Sequence, residues 1–289
     1  MATPKTWFIT GASSGFGSAF AQYALQMGYN VVATARNPER LKDLVAHAPK
    51  QLLALELDVN RPQDSQAAVA AAVQRFGRVD VLINNAGYGV LGAAEETPES
   101  ELRALMDTNF FGAVAAIKAA LPVLRKQRSG SIVNISSLGG QLSFAGFSAY
   151  SASKFALEGF SEALAQEVAG FGVKVLIVEP GNFRTNLLGS GTREMPAMDA
   201  YNQAVGGTRE FARNMHGAQL GDPMKAAAAI DRALAAEKTP LRLQLGEDAI
   251  GAIRDHANQL LQDLEHWAPV GSDTQIVGAT ASARPLTSR

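Results

Sequence analysis

Tyr150 and Lys154 stand four residues apart, and Ser137 precedes the tyrosine by thirteen. Four residues is about one helical turn, so a phenol and an ammonium would project from the same helix face. A free tyrosine ionises near pH ~10, too high for a base at neutral pH, and a neighbouring cation favours its phenolate. Lowering that value by about three units takes roughly 4 kcal/mol of preferential stabilisation of the anion. One close ammonium in a partly dry site, helped by the charge of a bound cofactor, supplies an interaction of that size. The hydroxyl of Ser137 would then hold a substrate oxygen. This trio could move a proton to or from an oxygen, although the same tyrosine–lysine spacing is common on solvated helices.

The elements that must position these groups follow from the hydrophobic pattern. Short apolar, β-branched runs at 7–10, 31–34, 52–57, 79–83, 131–135, 173–178 and 241–245 predict strands. Ala- and Leu-rich stretches at 17–27, 64–76, 99–126 and 150–169 predict helices between them. That alternation predicts an α/β fold: a doubly wound parallel sheet of about seven strands, helices on both faces, in a single domain. Asn37-Pro38, Thr97-Pro98 and Asp222-Pro223 each offer a capping residue before a proline at the first helical position. Residues 181–222 are rich in Gly, Asn, Met and Thr and poor in strand signal, and are expected to form a lid over a substrate. A last helix is expected to end near Trp267. The domain is set at 1–268 and a mobile tail at 269–289.

Composition narrows the function classes. The 289 residues carry a net charge of −1, which argues against a nucleic-acid or anionic-membrane partner. There is no cysteine, so disulfides, thiolate nucleophiles and Cys-type zinc sites are excluded. His47, His216, His256 and His266 show no paired ligand spacing, and no metal is expected. The N-terminal residues lack a basic leader with a long apolar stretch, and no uninterrupted apolar run approaches a membrane span of ~18 residues, so a cytoplasmic location is expected.

Strand one ends in T-G-A-S-S-G-F-G, with Gly11, Gly15 and Gly17, and a helix-like run follows. Such a loop is either an ordinary strand-to-helix turn or a place where backbone and helix N-terminus meet a pyrophosphate. Placed after the first strand of an alternating pattern, it reads as a cofactor loop. T-G-A-S-S-G-F-G, N-N-A-G (84–87), Y-S-A-S-K (150–154) and P-G-N-F-R-T (180–185) occur in this order. Over roughly residues 5–245 the chain thereby resembles the short-chain dehydrogenase/reductase family.

The resemblance implies a tetrad of Asn109, Ser137, Tyr150 and Lys154. Tyr150 would be the acid/base, and Lys154 would lower its pKa and bind the nicotinamide ribose. Ser137, favoured over Ser136 by its spacing, would bind the substrate oxygen, and Asn109 would hold a water-linked proton path. For the cofactor it implies Gly11, Ser13, Ser14, Gly15, Phe16 and Gly17 in the loop, and Asp58 and Val59 near the adenine. Asn85 and Gly87 would line the ribose, and Pro180, Gly181 and Thr185 the nicotinamide. At the end of strand two an NAD-type fold usually has an acid for the ribose 2′-hydroxyl. This chain has Arg36 there, suited to a 2′-phosphate, so NADP(H) is expected.

The expected reaction is interconversion of a carbonyl and an alcohol by hydride transfer. Tyr88, Leu138, Phe144, Phe147, Phe183, Leu187 and Leu188 favour an apolar or aromatic small molecule, and no Arg or Lys cluster stands beside the tetrad to bind an acid. The alternative is a non-catalytic NADPH sensor on the same fold, whose usual sign is a broken tetrad. Members of the family pair long helices, here 99–126 and 150–169. The C-terminal extension would block a second interface, so a dimer is expected.

Overall fold

Most of the apolar runs have no polar face to leave in water, which forces them into the middle of a layered structure. In the computed structural model, which describes residues 3–278, Thr6–Ile9 (β1) and Val81–Asn84 (β4) are buried along their whole length. Asn30–Ala35 (β2), Leu52–Glu56 (β3), Gly130–Ile135 (β6), Val173–Pro180 (β7) and Arg242–Leu245 (β9) complete a parallel sheet in the order β3-β2-β1-β4-β6-β7-β9. All seven expected strands are in it. The chain winds outward from β1 through β2 to β3, returns beside β1 as β4, and winds outward the other way. Parallel strands buried on both faces read as continuous apolar runs, as these do.

Alternate residues serve opposite cores. Trp7 and Ile9 pack with Phe20, Ala24, Ala226 and Ile230 of helices Gly15–Gln26 (α1) and Pro223–Ala235 (α8). Phe8 points the other way, to Val69, Ile117, Leu124 and Leu164. Those side chains come from Pro62–Phe76 (α3), Gly112–Gln127 (α5) and Ser148–Ala169 (α6). Between β2 and β3 lies the short helix Lys42–His47 (α2).

Several boundaries differ from the sequence reading for identifiable reasons. Val79 was expected in β4, but its backbone is satisfied by a side chain: Gln127 Oε1 accepts from its N–H and Gln127 Nε2 donates to its carbonyl. The stretch expected as one helix over 99–126 is Glu99–Met106 (α4), a wide π turn at Asp107–Phe111, and α5. Asn37 and Asp222 cap as expected, accepting from Glu39 N and Met224 N. Thr97 does not. Its hydroxyl donates to Ala93 O, Pro98 takes the cap position and the helix begins at Glu99. Glu99–Gln127 holds an 18-residue window of mean hydropathy 1.3, long and apolar enough to cross a membrane, yet its Ala116, Ile117, Ala120 and Leu124 are buried against the sheet.

The segment 181–222 is better ordered than its composition suggests. Thr192–Glu194 (β8) pairs in parallel with Gly89–Leu91 (β5), and Asn202–Met215 (α7) follows. Three-residue strands are too short to show a period, and Gly206-Gly207 inside α7 lowers its helix signal. The final helix, Glu247–Ser272 (α9), runs five residues beyond Trp267, so the start of the expected tail is helical. Residues 279–289 of that tail lie outside the described residues.

Ile117 is fully buried in the core under β4 and β6. Ile117→Ala is expected to cost about 2–5 kcal/mol, the usual range for such a truncation, measured as a lower urea midpoint with an unchanged slope.

Candidate active site

Parallel strands end at one edge of the sheet, and the reversal between β1 and β4 opens a crevice there. The glycine loop leaves β1 at this crevice and N-N-A-G leaves β4 beside it. Gly11 and Gly15 have φ of +67° and +53°, a left-handed backbone that favours glycine. Gly17 is needed for space: a Cβ there would collide with the Gly11 carbonyl and lie 2.6 Å from Asn85 Nδ2. Asn85 was expected against a ribose, but its side-chain amide donates to Thr10 O and Gly11 O, both at 3.0 Å. It therefore braces the loop. Thr10 Oγ1 accepts from Asn85 N and Ala86 N, which closes the clasp between the two strand ends.

The first turn of α1 has neither a side-chain cap nor an acidic residue, and Ser14 at its cap position is extended. Its backbone N–H groups and positive dipole end fit a phosphate. Ser14 and Gly15 share a cavity of about 370 Å³ with Ser18, Arg184 and Thr185, so the loop and the P-G-N-F-R-T segment meet as the sequence reading required. Phe16 instead packs inward, its ring 5.4 Å from Phe20 and 5.1 Å from Phe183. Ser13 is half-buried in the loop, and no hydrogen bond involves its hydroxyl among the described residues.

Arg36 follows β2 directly, exposed, with no ion pair or hydrogen bond from its guanidinium among the described residues. Leu57 N donates to Ala35 O, which brings Asp58 out at the same edge. The Asp58 carboxylate accepts from Asn60 N and shapes that turn, while Val59 is buried against Gly112. Pro180 ends β7. Gly181 presses so closely on Asp248 that a Cβ would collide with its carboxylate, which also accepts from Asn182 N and Nδ2. Asp248 had no sequence signal, being 66 residues from Asn182 in the chain.

The tetrad residues converge. Tyr150 and Lys154 lie on α6, both buried, and Ser137 caps the short turn Leu138–Gly140 after β6, accepting from Gly139 N at 3.0 Å. A Cβ on Gly139 would lie 3.4 Å from both Ser137 Oγ and Tyr150 Cε1, so the two hydroxyl-bearing side chains face one another across a glycine. Lys154 Nζ is 5.7 Å from the centre of the Tyr150 ring and donates to Ile135 O at 2.9 Å. Asn109 sits in the π turn, whose extra width is a local distortion often found at functional sites. Its Oδ1 accepts from Tyr88 N, and its Nδ2 donates to Tyr88 O and Ser153 Oγ, each at 3.0 Å. Ser153 Oγ in turn donates to Tyr150 O. Gly87 has a positional reason: a Cβ there would lie 2.9 Å from Asn109 Oδ1 and 3.8 Å from Lys154 Nζ.

The electrostatics differ from the sequence expectation. Burial pushes the Tyr150 phenol above its ordinary value, and only the hydrogen bond from Ser137 pulls it down. Burial also weakens the ammonium: desolvation takes Lys154 from 10.5 to about 8, with Glu158 opposing. Glu158 is one turn further along α6 and almost fully buried. It shares Arg242 Nε and Gln141 Nε2 with Glu179, which is fully buried on β7. Burial, then the neighbouring Glu158, raises the Glu179 carboxyl to about 7.

A lysine whose folded-state pKa is below its unfolded value destabilises the fold at low pH, and that penalty fades as pH rises through the interval between the two. For Lys154 the interval runs from about 8 to 10.5. Lys154→Met is therefore expected to raise the melting temperature at pH 7, with a smaller gain at pH 10, when the two proteins are compared by calorimetry.

Residues 5–196 match the short chain dehydrogenase family. Oxidoreductase BOA17 of Botryotinia fuckeliana is 41% identical over 264 residues, covering 91% of this chain and 96% of that protein. The 3-ketodihydrosphingosine reductase of Bacteroides thetaiotaomicron is 40% identical over 248 residues, 84% of this chain and 88% of that one. The crystal structure of a short-chain dehydrogenase from Streptomyces avermitilis superposes with a TM-score of 0.90 at 51% identity, covering 94% of this chain and all of that one, 100%. The sheet order, the crevice and these matches agree: the chain belongs to the short-chain dehydrogenase family, a family of oxidoreductases.

Proposed function

We propose that the protein is an NADP(H)-dependent oxidoreductase that interconverts an apolar or aromatic ketone, or an aldehyde, with its alcohol. The observation that carries this reading is the meeting of Ser137 and Tyr150 above a buried Lys154 at the switch-point crevice. When bound, the nicotinamide supplies hydride for the carbonyl carbon or accepts it from the alcohol. Ser137 Oγ and the Tyr150 hydroxyl hold the substrate oxygen, and Tyr150 gives it a proton in the reductive direction and takes one back in the other. Lys154 keeps positive charge beneath the phenol, so that the phenolate left after proton transfer is opposed by an ammonium in a dry setting. Asn109, clamped on Tyr88, fixes the wall beside the ammonium.

The surroundings support an apolar substrate. Val90, Leu105, Phe147 and Met195 pack about Tyr150, whose ring meets Phe147 edge-on at 6.1 Å. Phe147 also touches the cluster of Leu91, Ala93 and Val205 that seats α7. Arg209 of α7 is buried, donating to Glu96, Glu194 and Met195 O, so residues 181–222 are held over this wall as a lid. The Bacteroides relative, a 3-ketodihydrosphingosine reductase, supports a reductase acting on a keto group. Exposed Phe111, in the π turn just before α5, and Phe155 of α6 support a homo-oligomer formed through α5 and α6.

NADPH oxidation against a panel of apolar, aromatic and long-chain ketones tests the reaction. Tyr150→Phe is expected to lower kcat by about 10²–10⁴, the usual worth of a general acid, with NADPH affinity kept; a fully active variant overturns the assignment. The cofactor choice rests on Arg36, a free cation where an acid would be needed for NAD. Arg36→Asp is expected to weaken NADPH binding by at least tenfold and to improve NADH, and an unchanged ratio of the two KM values would count against it.

A further inference from the structure

Helix α9 is rooted in the domain by its first turn, where Ala249 is fully buried and Asp248 grips Asn182. It then leaves. Every residue from 257 to 278 is exposed, including Leu260 at 56%, Leu264 at 64% and Trp267 at 61%. A monomeric surface rarely shows a contiguous apolar strip of this kind unless something covers it.

The spacing of the strip says what shape would cover it. Ile250, which is 40% exposed, and the half-buried Ile253 begin a series that continues through Ala257, Leu260, Leu264 and Trp267 at intervals of three, four, three, four and three. A repeat of three and a half residues is the seam of two helices wound on each other, whereas packing on a broad core gives a wider stripe. The polar side of the helix carries Asp255, Asp263 and Glu265 against Arg254. That side lacks the Lys and Arg enrichment of helices that lie on anionic lipid.

We propose that this seam docks on the same seam of a second copy of the chain, with the two helices antiparallel. In that register Ile250, Ile253 and Ala257 stand opposite Trp267, Leu264 and Leu260 of the second copy. Ala257 then meets a leucine and Ile250 a tryptophan, so no layer pairs two small or two bulky aromatic side chains. A parallel pair would set Ala257 against Ala257 and Trp267 against Trp267, leaving one layer empty and another crowded. The flanking polar groups agree. Antiparallel pairing brings His256 alongside Asp263 of the second copy, twice by symmetry, whereas parallel pairing sets His256 beside Leu261 and Asp263 beside Ala268. The opposed helix dipoles also favour the antiparallel arrangement. This interface is separate from the one through α5 and α6, and it does not depend on the reaction assigned above.

The absence of cysteine makes the test direct. Full-length Ile253→Cys and Leu264→Cys chains are purified separately, mixed at micromolar concentration and mildly oxidised. A disulfide-linked pair containing one of each is expected in the mixture, identified by its mass, while each chain alone stays unlinked. Adding Leu260→Glu to both chains is expected to abolish the link while each chain still unfolds cooperatively, because that side chain is 56% exposed in its own chain. Linkage of either single variant with itself overturns the register. No linkage in the mixture, or a wild-type protein that sediments as a monomer, overturns the interface.

Discussion

An ammonium held almost wholly out of water is the constraint on which the rest of this site depends. Lys154 is 7% exposed, and a buried charge is tolerated only where hydrogen bonds and opposite charge surround it. The Ile135 carbonyl at the end of β6 supplies one bond and Glu158, one helical turn on, supplies the charge. Glu158 then needs company of its own, which Gln141 and Arg242 provide. Arg242 also reaches Glu179 and Glu162, so three elements, α6, β7 and β9, are tied to the compensation of one lysine. The cost in stability is a reason to expect a function, because a methionine would pack there more cheaply.

The same economy of space governs the cofactor side. Gly11, Gly17 and Gly87 leave out side chains where β1, β4 and the π turn crowd together, and Asn85 stitches the glycine loop to the strand beside it. The loop is thus shaped by the protein's own hydrogen bonds, with the uncapped start of α1 facing the crevice. Preorganised backbone donors of this sort spend little free energy on reordering when an anion arrives.

Much of the fold was legible in the residues. Seven apolar runs of four to six residues between helical patterns could bury both faces by forming a parallel sheet, and each run lies in it. The convergence of Ser137, Tyr150 and Lys154 was legible because a four-residue spacing and ordered motifs specify a helix face and a strand end. Other features were not. β5 and β8 are three residues each and stabilise one another across a hundred positions of sequence, so neither has a local signal. The double glycine in α7 hid a helix that Arg209 and its carboxylate partners hold in place.

The sequence by itself determined the chemistry on offer, the class of fold and the order in which the motifs arrive at one sheet edge, because these depend on residue type and local period. Tertiary structure alone decided the electrostatics. The phenol of Tyr150 is raised and the ammonium of Lys154 is weakened because both are buried, and burial is a property of everything packed around them. It also decided that Asn85 braces a loop and that Asp248 seats the segment after β7. Those contacts join residues tens of positions apart, and no spacing in the chain encodes a distance that only folding creates.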